Sequence, residues 1–449
     1  MLTRAIGVCT VLAGAVALLT VPARADEPIK LEARLAQPVI KSGGESKNYL
    51  RIGLQGCKPE PSQTRTPVNV SFVIDRSGSM QGARIAQARE AAIMAINRLL
   101  PTDIASVVIF DNVVDVLVPA QPVSDPSHFT DLIRQVMVRG STAIHAGVLQ
   151  GAAEVLKFKE PRRLNRVVLL SDGAANVGPT RPEEFALLGR ALLSKGVSVT
   201  TIGLGLGYNE DLMLQLARAS DGNHAFAREP TDLVQIFNKE FDDVLASCAQ
   251  TVSVDVELKP GVKAIRALSR DGQIEGQHAQ FALNQIYAAT EHYVLLELAI
   301  DGPASGTAEQ DLGIVKVAYT IPASGAKAML DAPIRARFSA EEAEAKKSFD
   351  PKVAESVVEQ VTRERTQRAV ALQDAGRAAE ARELLLQNAA EIQGLTASMV
   401  ASPRMLELQR QYQALGAAPA TAAKPADRSL ERKLLRQLEA PTANAAVRY

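Results

Sequence analysis

Val68-Asn69-Val70-Ser71-Phe72-Val73-Ile74 runs directly into Asp75-Arg76-Ser77-Gly78-Ser79. The apolar, β-branched run has the character of a strand buried on both faces, and the next five residues read Asp-x-Ser-x-Ser at its carboxyl end. Outward from this point, strand and helix signals alternate as far as Cys248. Gly82–Leu100 sets Ile85, Ala88, Ala92, Ile96 and Leu99 on one helical face. Ile104–Phe110 and Asp115–Val118 read as strands joined by a hairpin at Asp111-Asn112-Val113-Val114. Helices are predicted over Pro126–Val138, Ala143–Phe158, Pro182–Lys195, Glu210–Ser220 and Thr231–Ser247. Strands are predicted over Arg166–Leu170, Val197–Leu204 and His224–Ala227. This alternation predicts an α/β fold with a doubly wound, mostly parallel sheet covered on both faces.

In such a sheet ligands sit beyond the carboxyl ends of the strands, beside the point where strand order reverses. Asp75 is predicted at that edge. So are Thr142, in the loop Gly140-Ser141-Thr142, and Asp172, after the strand that ends in Leu170-Ser171. Asp75, Ser77, Ser79, Thr142 and Asp172 offer two carboxylates and three hydroxyls, with no thiolate and His145 as the sole nearby imidazole. An all-oxygen set suits a hard cation, Mg²⁺ or Mn²⁺, and does not suit zinc. Each residue also has an ordinary local reading. Ser79 could cap the helix near Gly82, Thr142 could cap the one at Ala143, and Asp172-Gly173 could be a turn. Arg76, between two candidate ligands, reads as a solvated side chain.

Phe72-Val-Ile-Asp-Arg-Ser-Gly-Ser-Met80, Gly140-Ser-Thr142 and Leu169-Leu-Ser-Asp-Gly173 together resemble the metal-ion-dependent adhesion site of von Willebrand factor type A domains. The resemblance covers residues 67–247 and extends to bacterial exported proteins related to inter-alpha-trypsin-inhibitor heavy chains. It implies that Ser77, Ser79 and Thr142 ligate the cation directly and that Asp75 and Asp172 act through bound water. A carboxylate from a partner protein would complete the coordination. Asp111, at the end of the second strand, is by the same resemblance a candidate for the surroundings of the metal.

The flanks differ in character. Thr251–Leu258, and in part Tyr293–Ile300 and Gly313–Ile321, alternate with period two, and Ile29–Leu35 and Asn48–Leu54 carry a similar signal. An antiparallel β-sandwich is therefore expected from residues 26–66 together with 248–338, with the α/β unit inserted in it or flanked by it. Residues 339–415 turn Ala/Glu/Gln/Arg-rich with helical periodicity, reading as a helical hairpin plus a third helix at Arg404–Leu415. Residues 416–449 read as a flexible linker and tail, with a short amphipathic helix over Ser429–Leu438.

Residues 1–25 have the pattern of a cleaved export signal: Arg4, an apolar stretch Ala5–Val21, and Ala23-Arg24-Ala25 before the expected cut. Periplasmic or secreted location is the expectation, and no later run is apolar enough to span a bilayer. Removing Arg4 and Arg24 from the 50 basic residues leaves 48 against 50 acidic ones, a balance that argues against general nucleic-acid binding. Cys57 and Cys248 are then the remaining cysteines, and export permits a disulfide between them.

Phosphotransfer is disfavoured because Ser77 stands where a second carboxylate would be wanted. No P-loop or Gly-x-Ser-x-Gly elbow is present. The expectation is thus a non-enzymatic, metal-dependent protein-binding module with an unidentified partner. The alternative is a periplasmic scaffold or assembly factor acting through its helical carboxyl-terminal region.

Overall fold

The computed structural model describes residues 28–56, 66–160, 162–172, 175–205, 208–227, 232–233, 235–236, 247–303, 309–322, 324–398, 402–417, 431–436 and 447–448. The expected leader lies outside these residues, as does Cys57. The chain opens with three strands, β1 (Ile29–Leu35), β2 (Val39–Lys41) and β3 (Gly44–Gly56). It then enters the α/β unit: β4 (Val68–Asp75), α1 (Ala83–Asn97), β5 (Ile104–Phe110), β6 (Val114–Pro122), α2 (Pro126–Arg134), α3 (Ile144–Lys157), β7 (Leu164–Ser171), α4 (Pro182–Ser194), β8 (Ser198–Leu204), α5 (Glu210–Ala219) and β9 (His224–Ala227). Its sheet has the order β6-β5-β4-β7-β8-β9, parallel throughout except for the β5–β6 hairpin.

The chain leaves β4 toward β5 on one side and later returns to β7 on the other. Strand order therefore reverses at the carboxyl end of β4, where Asp75 stands. All eight β4 residues are buried, because apolar clusters cover both faces. One cluster gathers Ile85, Ala88, Ala92 and Ile96 of α1 against Val70 and Phe72. The other gathers Val148 and Val155 of α3 against Val73 and Val167. Two glycines let α3 lie close on its face. A Cβ on Gly147 would come within 2.8 Å of the Phe110 ring, and one on Gly151 would collide with Val73. Gly151→Ala is expected to cost about 1–3 kcal/mol by overpacking. Urea unfolding checks this: the midpoint should fall while the slope stays unchanged.

The strands on either side of the α/β unit belong to one sandwich. After it come β10 (Ser247–Leu258), β11 (Val262–Ala267), β12 (Gln273–Glu275), β13 (His278–Tyr287), β14 (Thr290–Gly302), β15 (Glu309–Thr320) and β16 (Lys327–Ser339). β3 pairs with β14 from Gly44↔Gly302 to Gln55↔Glu291, within the order β1-β3-β14-β11. The facing sheet runs β12-β13-β10-β15-β16-β2, and Leu50, Ile52, Val254, Val294, Leu296 and Val317 pack between the two. A terminal strand β17 (Val447–Arg448) pairs with β14. The expected helix Thr231–Ser247 overruns: Ser247 opens β10 and pairs with Tyr287, and the segment between is only partly described.

The helical region comprises α6 (Glu342–Lys347), α7 (Pro351–Asp374), α8 (Ala378–Ser398) and α9 (Pro403–Ala417). Asp350 caps α7 by accepting from Val353 N at 3.1 Å, with Pro351 at the first helical position. α7 lies on the outer face of the β3–β14 sheet, where Val353 packs with Tyr293 and Leu295. Residues 431–436 form a further helical turn whose Leu435 is buried among Met405, Leu408 and Tyr412. Sequence reading placed this turn on a mobile tail. Instead Lys433 and Leu435 are buried, because Lys433 meets a carboxylate on the α/β unit.

Candidate metal-ion site

The five candidate residues all stand at the carboxyl edge of the parallel sheet. The turn after β4 is held by Ser77 N donating to Asp75 Oδ1 at 2.7 Å, and the other Asp75 oxygen accepts from Ser171 Oγ at 2.5 Å. Asp75 is thus fixed from its own turn and from the end of β7. Burial pushes its carboxyl up to about 6; hydrogen bonds from Ser171 and Ser77 oppose that rise, and the nearby charge of Asp172 adds to it.

Ser77 Oγ and Ser79 Oγ lie 3.1 Å apart, and Ser79 Oγ donates to Asp172 Oδ1 at 2.7 Å. The second Asp172 oxygen pairs with Arg84, whose guanidinium also donates to Ser79 O at 2.9 Å. Thr142 arrives on the loop before α3. That loop is tied to the Ser77–Ser79 turn by Gly78 N to Gly140 O (3.2 Å) and Arg139 N to Arg76 O (2.7 Å). Gly140 has φ +72°, and a Cβ there would meet Asp111 at 3.1 Å. Asn176 fixes Thr142 further: its side chain accepts from Thr142 N at 2.8 Å, and its N–H donates to Thr142 O at 3.1 Å.

The capping readings do not hold. Gly82 precedes α1 and Ala143 precedes α3, and neither position has a side-chain cap, so the hydroxyls of Ser79 and Thr142 are not used to start helices. Arg76 also differs from expectation. Arg76 is not solvated: its side chain is 9% exposed and donates to Asp111 Oδ2 at 2.8 Å while pairing with Asp115. Arg139 reaches the same Asp111 oxygen at 2.7 Å, and Asp111 O accepts from Ala143 N at 2.8 Å. Burial alone would raise the Asp111 carboxyl, but Arg139, the Val113 N–H and Arg76 hold it below the usual range. Asp111 therefore braces the threonine loop through backbone and guanidinium contacts. Arg84, Arg139 and Asn176 are the neighbours that motif reading missed. His145 packs edge-on against Phe185, with ring centroids 5.7 Å apart.

The donor chemistry fits a small hard cation: the oxygens of Ser77, Ser79 and Asp172 meet from the loops after β4 and β7, and the Thr142 loop is tied to the serine turn through its backbone. Among the described residues no group of three His, Cys, Asp or Glu side chains that could hold a metal is found. Ser77, Ser79 and Thr142 would hold it, with Asp75 and Asp172 supplying charge.

A sequence model of the von Willebrand factor type A domain matches residues 69–239, and this part of the chain is such a domain. Across most of its length the chain has the fold of a von Willebrand factor type A protein from Catenulispora acidiphila (TM-score 0.70, 16% identity, 94% of this chain and 98% of that one). It is 27% identical over 317 residues to an uncharacterised Synechocystis protein, covering 68% of this chain and 74% of that one. It is 30% identical over 217 residues to an inter-alpha-trypsin inhibitor heavy chain of Rattus norvegicus, covering 46% of this chain and 24% of that one. Type A domains generally mediate protein–protein interactions and commonly bind a divalent metal. No helix among the described residues is long and apolar enough to cross a membrane.

Proposed function

We propose that this chain is a non-enzymatic, exported protein-binding module whose Ser77, Ser79, Thr142, Asp75 and Asp172 hold Mg²⁺ or Mn²⁺ and present it to a carboxylate of another protein. The observation that carries this reading is the oxygen cluster at the strand-order reversal, where Ser79 Oγ lies between Ser77 Oγ and Asp172 Oδ1. Three neutral hydroxyls in direct contact leave a bound cation strongly electrophilic toward an external carboxylate. This chain's residues set that up by position: Asp75 fixes the serine turn, Asn176 fixes Thr142, and Asp111 with Arg76 and Arg139 anchors the loop between them.

Calorimetric titration of the full chain with Mn²⁺ and Mg²⁺ tests the reading. One saturable site is expected, lost in Asp172→Ala and weakened in Ser77→Ala. Thr142→Ala should impair carboxylate capture more than folding, because the residue sits on an edge loop. Absence of uptake of either cation at millimolar concentration would remove the proposal.

Export carries a second expectation, the Cys57–Cys248 disulfide. Gly56, before Cys57, packs against the Tyr287 carbonyl, and Ser247, before Cys248, pairs with Tyr287. Both chain crossings into the type A domain thus pass the same residue. Mass spectrometry after alkylation should find the two thiols blocked until reductant is added; free alkylation without reductant would contradict the bond. The scaffold reading gains no such support. In the helical region Leu385, Ile392, Met405 and Tyr412 are packed within the chain, while Leu386, Leu406 and Leu434 are exposed.

A further inference from the structure

At the edge of the type A sheet opposite the proposed metal site, a cleft of about 440 Å³ opens between the domain and the sandwich. It lies at the carboxyl ends of α4 and α5, which point toward the amino ends of the strands. One wall carries Arg190 and Arg218 from those helices; the other carries Arg270, Asp271 and Phe281 from the sandwich. A cleft of this size suits a small molecule.

Arg270 is the informative residue. Its side chain is 9% exposed, and Nη1 alone is satisfied, donating to Ala282 O at 3.0 Å and Asp221 Oδ1 at 3.2 Å. Nε and Nη2 are shielded from solvent and have no hydrogen-bond partner. Those two nitrogens form one edge of the guanidinium, the edge that takes a carboxylate or phosphate through two parallel hydrogen bonds. A buried charged donor left unpaired costs more than a neutral one, so two adjacent ones call for an acceptor. Asp221 cannot be that acceptor on this edge: its Oδ1 lies on the Nη1 side, and its Oδ2 accepts from Asn284 N at 2.6 Å. Asp271 is occupied at long range by Arg190, 3.7 Å away. Arg218, half-buried on the facing wall, has no ion-pair partner among the described residues. Three arginines against two aspartates leave the cleft net positive, with Leu193, Ala219, Phe281 and Ala282 as its apolar surface.

We infer that this cleft binds a small organic oxyanion, its carboxylate or phosphate on the Nε–Nη2 edge of Arg270 and its apolar body against Phe281. The site spans the joint between the two domains and is independent of the cation proposed above. Its test is therefore run on the full chain in EDTA. Calorimetry and thermal unfolding are followed with benzoate, phenyl phosphate, inorganic phosphate and, as the uncharged control, benzyl alcohol. Saturable binding is expected for benzoate or phenyl phosphate, with the preferred headgroup identifying the anion, and none for benzyl alcohol. Arg270→Met should abolish it. Because Arg270 also pairs with Asp221, Arg218→Met serves as the variant that leaves the joint intact; it should weaken binding about ten-fold, a loss near 1.4 kcal/mol. The proposal is overturned if neither aromatic anion binds at about 10 mM, where any millimolar Kd would be visible. It is equally overturned if both arginine variants bind as wild type does, or if inorganic phosphate binds as tightly as phenyl phosphate.

Discussion

Arg51→Met is expected to destabilise the sandwich by about 3 kcal/mol at neutral pH, the low end of what breaking a buried ion pair costs. Arg51 Nη1 donates to Glu291 Oε1 at 2.8 Å, and both side chains are 2% exposed. Its Nε donates to Ser356 Oγ on α7 at 2.9 Å, and its guanidinium lies 4.6 Å from the Tyr293 ring centre. Gly53 makes the room: a Cβ there would come within 2.6 Å of Glu291 and 2.8 Å of Arg51. The pair therefore joins the β3–β14 sheet to the helical region, and its loss leaves Glu291 to Lys352, 2.8 Å away and partly solvated.

The pH dependence gives this prediction a signature. Burial raises the Glu291 carboxyl, but hydrogen bonding and charge from Arg51, then Lys352, outweigh it and hold the group down to about 2 against an ordinary 4.5. A depressed carboxylate stabilises the fold fully above its unfolded value, and that contribution is lost as pH falls from about 4.5 to 2. Two and a half pH units correspond to about 3 kcal/mol. Urea unfolding at pH 7, 4 and 3 should show the wild type losing its advantage over Arg51→Met across that window. The double change Arg51→Met with Glu291→Leu should recover much of the loss at pH 7, since a packed apolar pair can replace a buried ionic one. A double variant as unstable as the single one would show that the deficit lies in packing rather than in a stranded charge.

Local chemistry was readable in the sequence, and long-range charge pairing was not. The β4 run is apolar because type A helices cover both of its faces, so period and composition sufficed to place Asp75, Thr142 and Asp172 on one sheet edge. The pairing of both flanks in one sandwich was also legible, since period-two runs stood on either side of the α/β pattern. Arg76 defeated the reading because its partners, Asp111 and Asp115, lie 35 and 39 positions away and nothing in its neighbourhood signals burial. Arg270 was silent for a similar reason: its cleft is assembled from two helices of one domain and three strands of another. The helix expected to reach Ser247 failed at its end because pairing with Tyr287 overrode local propensity.

The turn at 431–436 is the extreme case, with 223 positions separating Lys433 from Glu210. Lys433 Nζ donates to Glu210 Oε2 at 2.6 Å and to Tyr208 O at 3.1 Å, and lies 4.2 Å from the Tyr208 ring centre. Arg432 pairs with Glu210, with Asp211 at 2.6 Å and with Asp374 of α7 at 2.9 Å, so one turn fastens the helical region to the start of α5. Glu210 is 7% exposed and Lys433 2%, so salt should screen this clasp little. The double variant Arg432→Met and Lys433→Met should therefore cost about 3–5 kcal/mol, because it leaves Glu210 buried without a counter-charge. The sign of the pH effect should also invert. In the wild type, burial raises the Glu210 carboxyl, but the Lys433 hydrogen bond and charge, with Arg432, bring it below its ordinary 4.5. That stabilisation is present above 4.5 and lost as pH falls through the depressed value. In the variant burial outweighs the remaining backbone hydrogen bond, the folded carboxyl rises above 4.5, and the penalty is relieved as pH falls toward 4.5. The stability gap between the two proteins should accordingly narrow from pH 7 to pH 4.5. Adding Glu210→Gln to the variant should narrow it at pH 7 as well. A gap that stays constant with pH and ignores Glu210→Gln would mean that Leu435, and not the buried charge pair, holds the helical region to the type A domain.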